Sequence, residues 1–244
     1  MKRKLIPLLG LVLALFSLAQ AGHALTLADI RTAIRRNIRD TASSATLQRY
    51  SDSVLTSLVN EGQRDVVNNT WAISSVQTIP LVAGVGSYSL AANEIGIWRV
   101  TREGGSLPEV DFSQMDADRN NASWATNTST GPLYFYRDFS SPGTIKLFPI
   151  ASSGFTGTLL VYYYASATDL ASDSDVPFNG ITQLLQYNDL LIFYASDRIL
   201  AIESMLDRAA FYRQRYSDGL NRMNENLGMK PQKIPSVPQK VNKP

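Results

Sequence analysis

Cysteine is absent from the 244-residue chain, and histidine occurs only once, at His23. These absences exclude disulfide bonds, thiol chemistry and catalytic sites of the Cys–His and Ser–His–Asp types. They also exclude a metal site built from several histidine or cysteine ligands. A glycine-rich phosphate-binding loop is missing too, because Gly84-Val85-Gly86 is too short and lies between predicted strands.

Carboxylates are the remaining candidates for chemistry, and three of them cluster before Pro177: Asp169, Asp173 and Asp175. Their oxygens could bind a hard cation, but their spacing is not that of an EF-hand. Acidic turns also commonly precede helices and cap them. We therefore predict a turn and cap, with no metal, no cofactor and no catalytic residue. A carboxylate-dependent hydrolase is a further alternative, although no carboxylate pair is singled out.

The net charge of +2 depends on the basic start Lys2-Arg3-Lys4. The rest of the chain has no basic excess of the kind that tight nucleic-acid binding needs. An apolar run over residues 5–21 follows and ends in Ala19-Gln20-Ala21, so residues 1–21 resemble an export signal. The alternatives are an uncleaved anchor, or an extension from a misplaced start codon, with the working protein beginning near Leu25.

Two amphipathic helices are predicted in the first zone of the body, residues 26–71. Apolar residues recur at helical spacing through residues 27–38. The polar stretch 40–44 is predicted to break the first helix, and Ser51 or Asp52 to cap the second. Because each helix has only one apolar face, each must pack against other elements.

A β-rich zone, residues 73–167, follows the helices. Short alternating or β-branched runs separated by turn residues predict an antiparallel sandwich or barrel. Leu133–Tyr136 and Ile145–Phe148 are predicted to pair as a hairpin, and Phe112–Asn120 to form a short helix. Glycosylation sequons at Asn121 and Asn127 are interpreted as chance matches. Four aromatic residues of this zone belong either to its core or to a recognition face: Trp98, Trp124, Tyr134 and Tyr136.

Helical periodicity returns in residues 180–227, with Asn179 as the predicted N-cap. Apolar residues cover so much of the first part that we expect it to be buried. One unbroken helix would be about 70 Å long, so we predict a hairpin with its break at Ser204–Asp207 and a weak point at Gly219. The order of elements predicts one α+β domain, residues 26–227: a bundle of N- and C-terminal helices with an inserted antiparallel β-sandwich or barrel-like region.

Charged and tyrosine side chains beside the apolar helical faces are candidates for an interface. Charges so close to a buried face usually pair. We expect them either on a solvated edge or in contacts within the bundle or between neighbouring subunits. These candidate residues are Arg64, Asp197, Arg198, Glu203, Tyr212 and Tyr216.

The C-terminal segment, residues 228–244, contains four prolines and four lysines. Proline at this density opposes helix and favours extended polyproline-type backbone. The segment is interpreted either as a solvated tail or as an arm that orders on a partner subunit. The candidate docking residues of such an arm are Lys230, Pro231, Lys233, Pro235, Pro238 and Lys240.

A series of segments between Leu27 and Met223 matches a known pattern in order and spacing. The segments are Tyr50-Ser51-Asp52 with 58–64, 86–90 with 97–100, 131–134 with 146–149, and 173–179 with Tyr187, Leu190, Tyr194, Ala195, Ile202 and Glu203, followed by Ala209-Ala210 and 212–216. In these segments the chain resembles the head–tail adaptor (connector) proteins of tailed bacteriophages, and their order and spacing carry the resemblance more than any one segment does.

The resemblance implies a structural, non-enzymatic protein of the virion, assembled in the host cytoplasm. Such proteins form a ring, commonly of twelve copies, between the portal and the tail, with terminal helices in the ring wall. The implied partners are other copies of the chain, the portal protein, a tail or nozzle protein, and DNA in transient, non-specific contact as it passes. The C-terminal arm would reach onto the portal.

The signal-like start departs from this pattern, because a phage connector needs no export. It favours an alternative function, an exported periplasmic or secreted binding protein without enzymatic activity. In that case the aromatic residues of the β zone would form the recognition face.

Overall fold

The structure is a computed structural model that describes residues 25–42, 44–103, 105–111, 127–138 and 140–228. Several predictions concern residues outside these ranges. They are the signal-like segment 1–21, the short helix 112–120, Trp124, the sequon at Asn121 and the candidate docking residues from Lys230 to Lys240.

Two helices open the described chain, as predicted, and both have side-chain caps. Helix α1 (Leu27–Ile38) begins behind Thr26, whose hydroxyl accepts from the Asp29 N–H at 3.3 Å while the Asp29 carboxylate accepts from the Thr26 N–H at 3.0 Å. Helix α2 (Asp52–Thr70) begins behind Ser51, whose hydroxyl accepts from the Val54 N–H at 3.3 Å. These caps satisfy N–H groups that have no partner within the helix.

A buried ion pair holds the connection between α1 and α2. Asp40 is 3% exposed and accepts from Arg35 at 2.9 Å. Its carboxylate also accepts the backbone N–H groups of Arg49 (2.9 Å) and Tyr50 (3.2 Å). Arg35 donates further to Asp52 at 2.8 Å, and this bond holds the pKa of Asp52 below its usual value. A carboxylate with several donors and a cation is well compensated for burial, so Asp40 holds the end of α1 against the residues just before α2.

The described middle of the chain forms two antiparallel sheets and one short parallel pair, and the sheets do not close into a barrel. The strands are β1 (Ser74–Leu81), β2 (Ser87–Ser89), β3 (Glu94–Arg102), β4 (Gly105–Leu107), β5 (Thr128–Ser129), β6 (Tyr134–Tyr136), β7 (Thr144–Phe148), β8 (Ile150–Ala151) and β9 (Gly157–Ala165). The larger sheet has the order β1-β9-β3-β4, and the smaller has the order β2-β7-β6. The predicted hairpin of β6 and β7 is confirmed. The parallel pair β5-β8, two residues long, was not predicted.

Alternation along β9 places the larger sheet over the core. Leu159, Val161 and Tyr163 are buried, whereas Tyr162 and Tyr164 on the other face are only partly buried. Such alternation is expected of a sheet with one face on the core. Most buried apolar side chains of the sheets and of the described helices belong to one apolar cluster, whereas Tyr136 and Phe148 of the smaller sheet form a second, small one. The observed architecture is therefore α+β, as predicted.

The return from the strands to the helices differs from the prediction. Asn179 does not cap a helix: it has a left-handed φ of 56°, and its side-chain oxygen accepts from the Thr168 N–H at 2.9 Å. Two 3₁₀ segments, Phe178–Gly180 and Thr182–Tyr187, come before the next α-helix. Asparagine adopts left-handed turn conformations readily, which explains why a good capping residue serves here in a turn.

The last two helices, α3 (Asp189–Ile202) and α4 (Leu206–Leu227), form the predicted hairpin. Its break lies at residues 203–205, where Ser204 has a φ of 60°. Gly219 is not a break, because α4 runs through it. A Cβ at Gly219 would lie 2.3 Å from Leu190 Cδ2, so glycine allows α3 and α4 to approach closely.

Helix α3 lies at the centre of the helical layer and contacts α1, α2 and α4. Most of its side chains are buried, including Leu191, Ala195, Ile199 and Leu200 at 0% exposure. A helix that is apolar on nearly all sides needs neighbours all round. The prediction of burial is confirmed, and the covering helices belong to the same chain. In the part of the chain that the structure describes, no helix is long and apolar enough to cross a membrane.

Candidate assembly interface

Two side-chain amides on α2 dock the segment that returns from the strands to α3. Asn60 donates to the Leu170 carbonyl at 3.0 Å and accepts from the Leu170 N–H at 2.8 Å. One turn later, Gln63 donates to the Thr168 carbonyl at 2.8 Å and accepts from the Phe178 N–H at 2.7 Å. Gln63 is 0% exposed and Asn60 is 8% exposed. Positions i and i+3 share one helix face. The two amides therefore supply hydrogen bonds to the returning backbone of the kind that a neighbouring strand would otherwise supply.

The residues between and beside these amides contact α3 and α4. Glu61 accepts from the Tyr194 hydroxyl at 2.6 Å, and a Cβ at Gly62 would lie 3.0 Å from the Tyr194 ring. Asp65 accepts from the Tyr216 hydroxyl. Burial and this carboxylate raise the pKa of Tyr216, since a phenolate would be desolvated beside a negative charge. The stretch 60–65 is therefore a continuous contact strip for the C-terminal half of the chain.

The acidic turn before Pro177 is a structural connection to the start of the chain. The carbonyls of Asp173 and Asp175 accept the N–H groups of Ala28 (3.1 Å) and Leu27 (2.9 Å), which lie in the first turn of α1. The Asp173 carboxylate also pairs with Arg31 at 2.5 Å. Within the described residues, no group of three or more His, Cys, Asp or Glu side chains is placed to hold a metal ion.

The side chain of Asp175 stabilises the turn itself. Its carboxylate accepts the backbone N–H groups of Ala171 at 2.7 Å and Ser172 at 2.8 Å. These bonds favour the charged form and hold the pKa of Asp175 below its ordinary value of 3.8. Together with the carbonyl contacts, this supports the turn-and-cap interpretation of the aspartates.

Most of the candidate interface residues are engaged within the chain. Arg64 pairs with Asp169 at 2.5 Å, although both are well exposed, and such a pair contributes at most about 1 kcal/mol. Asp197 accepts two bonds from Arg213, at 3.1 and 3.2 Å. Arg198 donates to the Tyr194 hydroxyl at 3.2 Å.

The aromatic candidates pack against other rings. The Tyr216 ring lies edge-on to Tyr194 with centroids 5.4 Å apart, and Tyr212 lies 6.2 Å from Phe193. These contacts belong to the bundle of one chain. Contacts of the same residues between subunits stay a prediction.

Glu203 ties the α1–α2 loop to the α3–α4 turn. It accepts from Arg49 and from the Tyr50 hydroxyl, the latter at 3.1 Å. Beside these contacts lies a surface that sequence reasoning missed, which we call the apolar tip: Leu47, Ile202, Met205 and Leu206. Their exposed fractions are 73%, 74%, 40% and 68%. Apolar surface concentrated at one end of a domain is typical of a site of protein contact.

Of the four aromatic residues considered for a recognition face, the three that the structure describes are not brought together. Tyr136 is 5% exposed and Tyr134 stacks on Phe148 in the smaller sheet, whereas Trp98 lies on the larger sheet. A different set lines the outer face of the larger sheet. Trp98 packs on Tyr162 at 5.2 Å, and Trp71 packs edge-on to Tyr164 at 4.9 Å. Period-two alternation in the run 162–164 was the available signal for this face.

A model of the family described as SU10 adaptor protein matches residues 25–234. The chain belongs to this family. It is a phage head–tail adaptor family, so the resemblance predicted from the sequence is confirmed. No curated protein matches the chain.

Membership makes this adaptor a structural component of the virion, and it implies interaction with other phage head or tail proteins. Adaptor families of this kind are generally structural and not enzymatic. The match covers the four helices, the described strands and the start of the C-terminal segment. The contact strip 60–65 and the acidic turn both lie inside it, and both serve internal docking.

Replacing Gln63 with leucine should destabilise this adaptor by about 2–4 kcal/mol. The change roughly keeps the side-chain volume but removes the partner of the Thr168 carbonyl and leaves the buried Phe178 N–H without one. Denaturant unfolding measures the effect. The matched control is Gln186→Leu, because Gln186 is exposed and bonds only to the nearby Gln183 carbonyl. Equal stability of the two variants would contradict the docking role of Gln63.

Replacing Asp175 with asparagine should lower the melting temperature in a pH-dependent way. The folded pKa of Asp175 lies below 3.8, so its charge stabilises the fold fully above that pH. This contribution is lost as the pH falls through the folded pKa. The difference in melting temperature between wild type and variant should therefore be present at neutral pH and vanish in strong acid. Asp218→Asn, on the exposed face of α4, controls for net charge; a difference that persists in strong acid would refute the assignment.

Proposed function

We propose that this adaptor forms a ring between the portal and the tail and that the DNA passes through this ring. In this role the protein is structural and catalyses no reaction. The observation that carries the proposal is the family match over residues 25–234, which spans nearly all of the described chain. The packing supports it, because the long helices form a layer held together by packing and hydrogen bonds, as a ring wall requires. DNA would touch the channel transiently and without sequence preference.

The apolar tip supports contact with other proteins. Glu203 bonds to Arg49 and Tyr50 at the base of the tip, and these contacts hold the backbone from which the exposed side chains of Ile202 and Leu206 extend. A preorganised apolar surface binds with less loss of side-chain entropy than a mobile one. We assign the tip to a contact with a neighbouring copy or with the portal.

The tail, residues 228–244, is proposed as the arm that reaches the portal. It follows α4 directly, and α4 ends beside the start of α3, where Asn226 donates to the Tyr187 hydroxyl at 3.0 Å. The tail therefore leaves the helical layer at the end opposite the tip. If it extends as polyproline backbone at about 3.1 Å per residue, it reaches roughly 50 Å, enough to cross onto another subunit.

Purified adaptor, alone or with its cognate portal, should form ring particles in electron micrographs, with twelve-fold symmetry as the expected stoichiometry. Sedimentation analysis of the same samples measures the mass. A strictly monomeric protein that never associates with the portal would overturn the ring assignment. N-terminal sequencing after expression tests the export alternative: cleavage after Ala21 with periplasmic recovery would favour it.

Deleting residues 230–244 should leave the melting temperature unchanged and weaken binding to the portal at least about tenfold. Surface plasmon resonance with immobilised portal measures the affinity. A full-length variant with Lys230, Lys233 and Lys240 changed to glutamine separates the role of charge from that of the extended backbone. Loss of folding on deletion, or unchanged portal affinity, would contradict the arm.

A further inference from the structure

Strand β1 forms one edge of the larger sheet, and no described segment pairs with its outer side. The hydrogen-bond register identifies its free backbone groups. The Ala165 N–H donates to the Ile73 carbonyl at 2.9 Å, and the same register continues as Ser74↔Tyr164 and Ser75↔Tyr163. Opposed residues in an antiparallel pair alternate between bonded and non-bonded positions. Odd-numbered residues of β1 therefore bond to β9, and even-numbered residues direct their N–H and C=O groups outward.

The outward positions are Ser74, Val76, Thr78 and Pro80, and all four are exposed. Proline has no N–H, and it occupies a position where β9 requires none. It also ends the row of free donors, because a further strand would find no N–H at this position. The open edge therefore comprises Ser74–Thr78, with three N–H groups available.

This edge lacks the usual protection against pairing. Natural sheets guard their edge strands with charged residues, proline or bulges. The β1 sequence, Ser74–Leu81, contains no charged residue, and Pro80 guards only its last part. In a monomeric protein, an uncharged edge of this length would pair unselectively with strands of other chains. The edge therefore indicates a surface that is covered in an assembly.

An exposed apolar strip continues from the edge across the outer face of the sheet. Val76, 50% exposed, lies opposite Tyr162 in a non-bonded pair, where side chains approach most closely. Trp98, 43% exposed, packs on the other side of Tyr162. A strand added to β1 would therefore place its outward side chains beside Val76 and extend this strip.

We propose that a strand from a second copy of this chain pairs with Ser74–Thr78, so that the sheet continues from one copy to the next; this rests on the proposed ring. The opposite edge of the same sheet supports a second copy as the occupant. Among the described strands, β4 bonds to β3 only over Val100–Arg102, so Glu94–Arg99 is open on that side. Contacts between two different edges are heterologous, and heterologous contacts form a ring when the rotation from copy to copy closes.

Amide hydrogen exchange on rings and on monomers, separated by size, tests the pairing directly. The N–H groups of Ser74, Val76 and Thr78 should exchange at least about tenfold more slowly in rings. Those of Ser75 and Gln77 already bond to β9 and should be slow in both states. Rings in which the three outward amides exchange as in the monomer overturn the inference, as does protection that appears only after the portal is added.

Two substitutions at Val76 test separately whether its backbone N–H or its side chain is needed for ring formation. Val76→Pro removes one outward N–H at a position of the same kind as Pro80, so the monomer should fold with a near-normal melting temperature and fail to form rings. Val76→Ala keeps the N–H and should form rings. Ring formation by Val76→Pro overturns the inference. If that variant does not fold, the exchange rates of the unmodified protein decide.

The outcomes distinguish this inference from the proposed function. If rings form but the outward amides of β1 exchange as in the monomer, the proposed ring stands and the edge contact is overturned. A chain that forms no ring under any condition overturns both.

Discussion

The docking of the returning backbone on α2 is the contact on which the rest of the structure depends. Asn60 and Gln63 bond to Leu170, Thr168 and Phe178, and so bind the end of the β region to a helix that precedes it by about a hundred residues. Without these bonds, buried N–H and C=O groups would lack partners. The position of α3, and with it that of α4, follows from this contact.

The same segment also secures the first helix, because the turn that contains Asp173 and Asp175 supplies acceptors to the start of α1. This turn thereby joins the first helix to the segment that leads into α3, and α3 is covered by helices of its own chain. Among the described residues, exposed apolar side chains include those at the tip around Ile202 and along β1 around Val76. These are the surfaces that we propose for contacts with neighbours, and they lie outside the core.

Sequence reasoning identified elements where the signal was periodic or local. The α1–α2 zone, the β6–β7 hairpin and the α3–α4 break were all predicted, since apolar spacing and turn residues act over a few positions. Asn179 was misassigned because its capping and turn roles use the same side chain, and the choice depends on Thr168. The sequence left core and recognition face open for the aromatic residues of the β zone, because spacing along the chain does not reveal that Trp98 and Tyr134 lie in different sheets.

Composition and periodicity determined the fold class and the absence of thiol and histidine chemistry, because both are properties of the chain itself. The family followed from the resemblance of particular segments to those of known adaptors. Only the tertiary structure decided which polar residues are buried and which apolar ones are exposed. Gln63 and Ile202 show the reason: one is a polar residue at 0% exposure and the other an apolar residue at 74%. Their environments are set by segments distant in sequence, so packing, not residue type, places one in the interior and the other on the exposed surface.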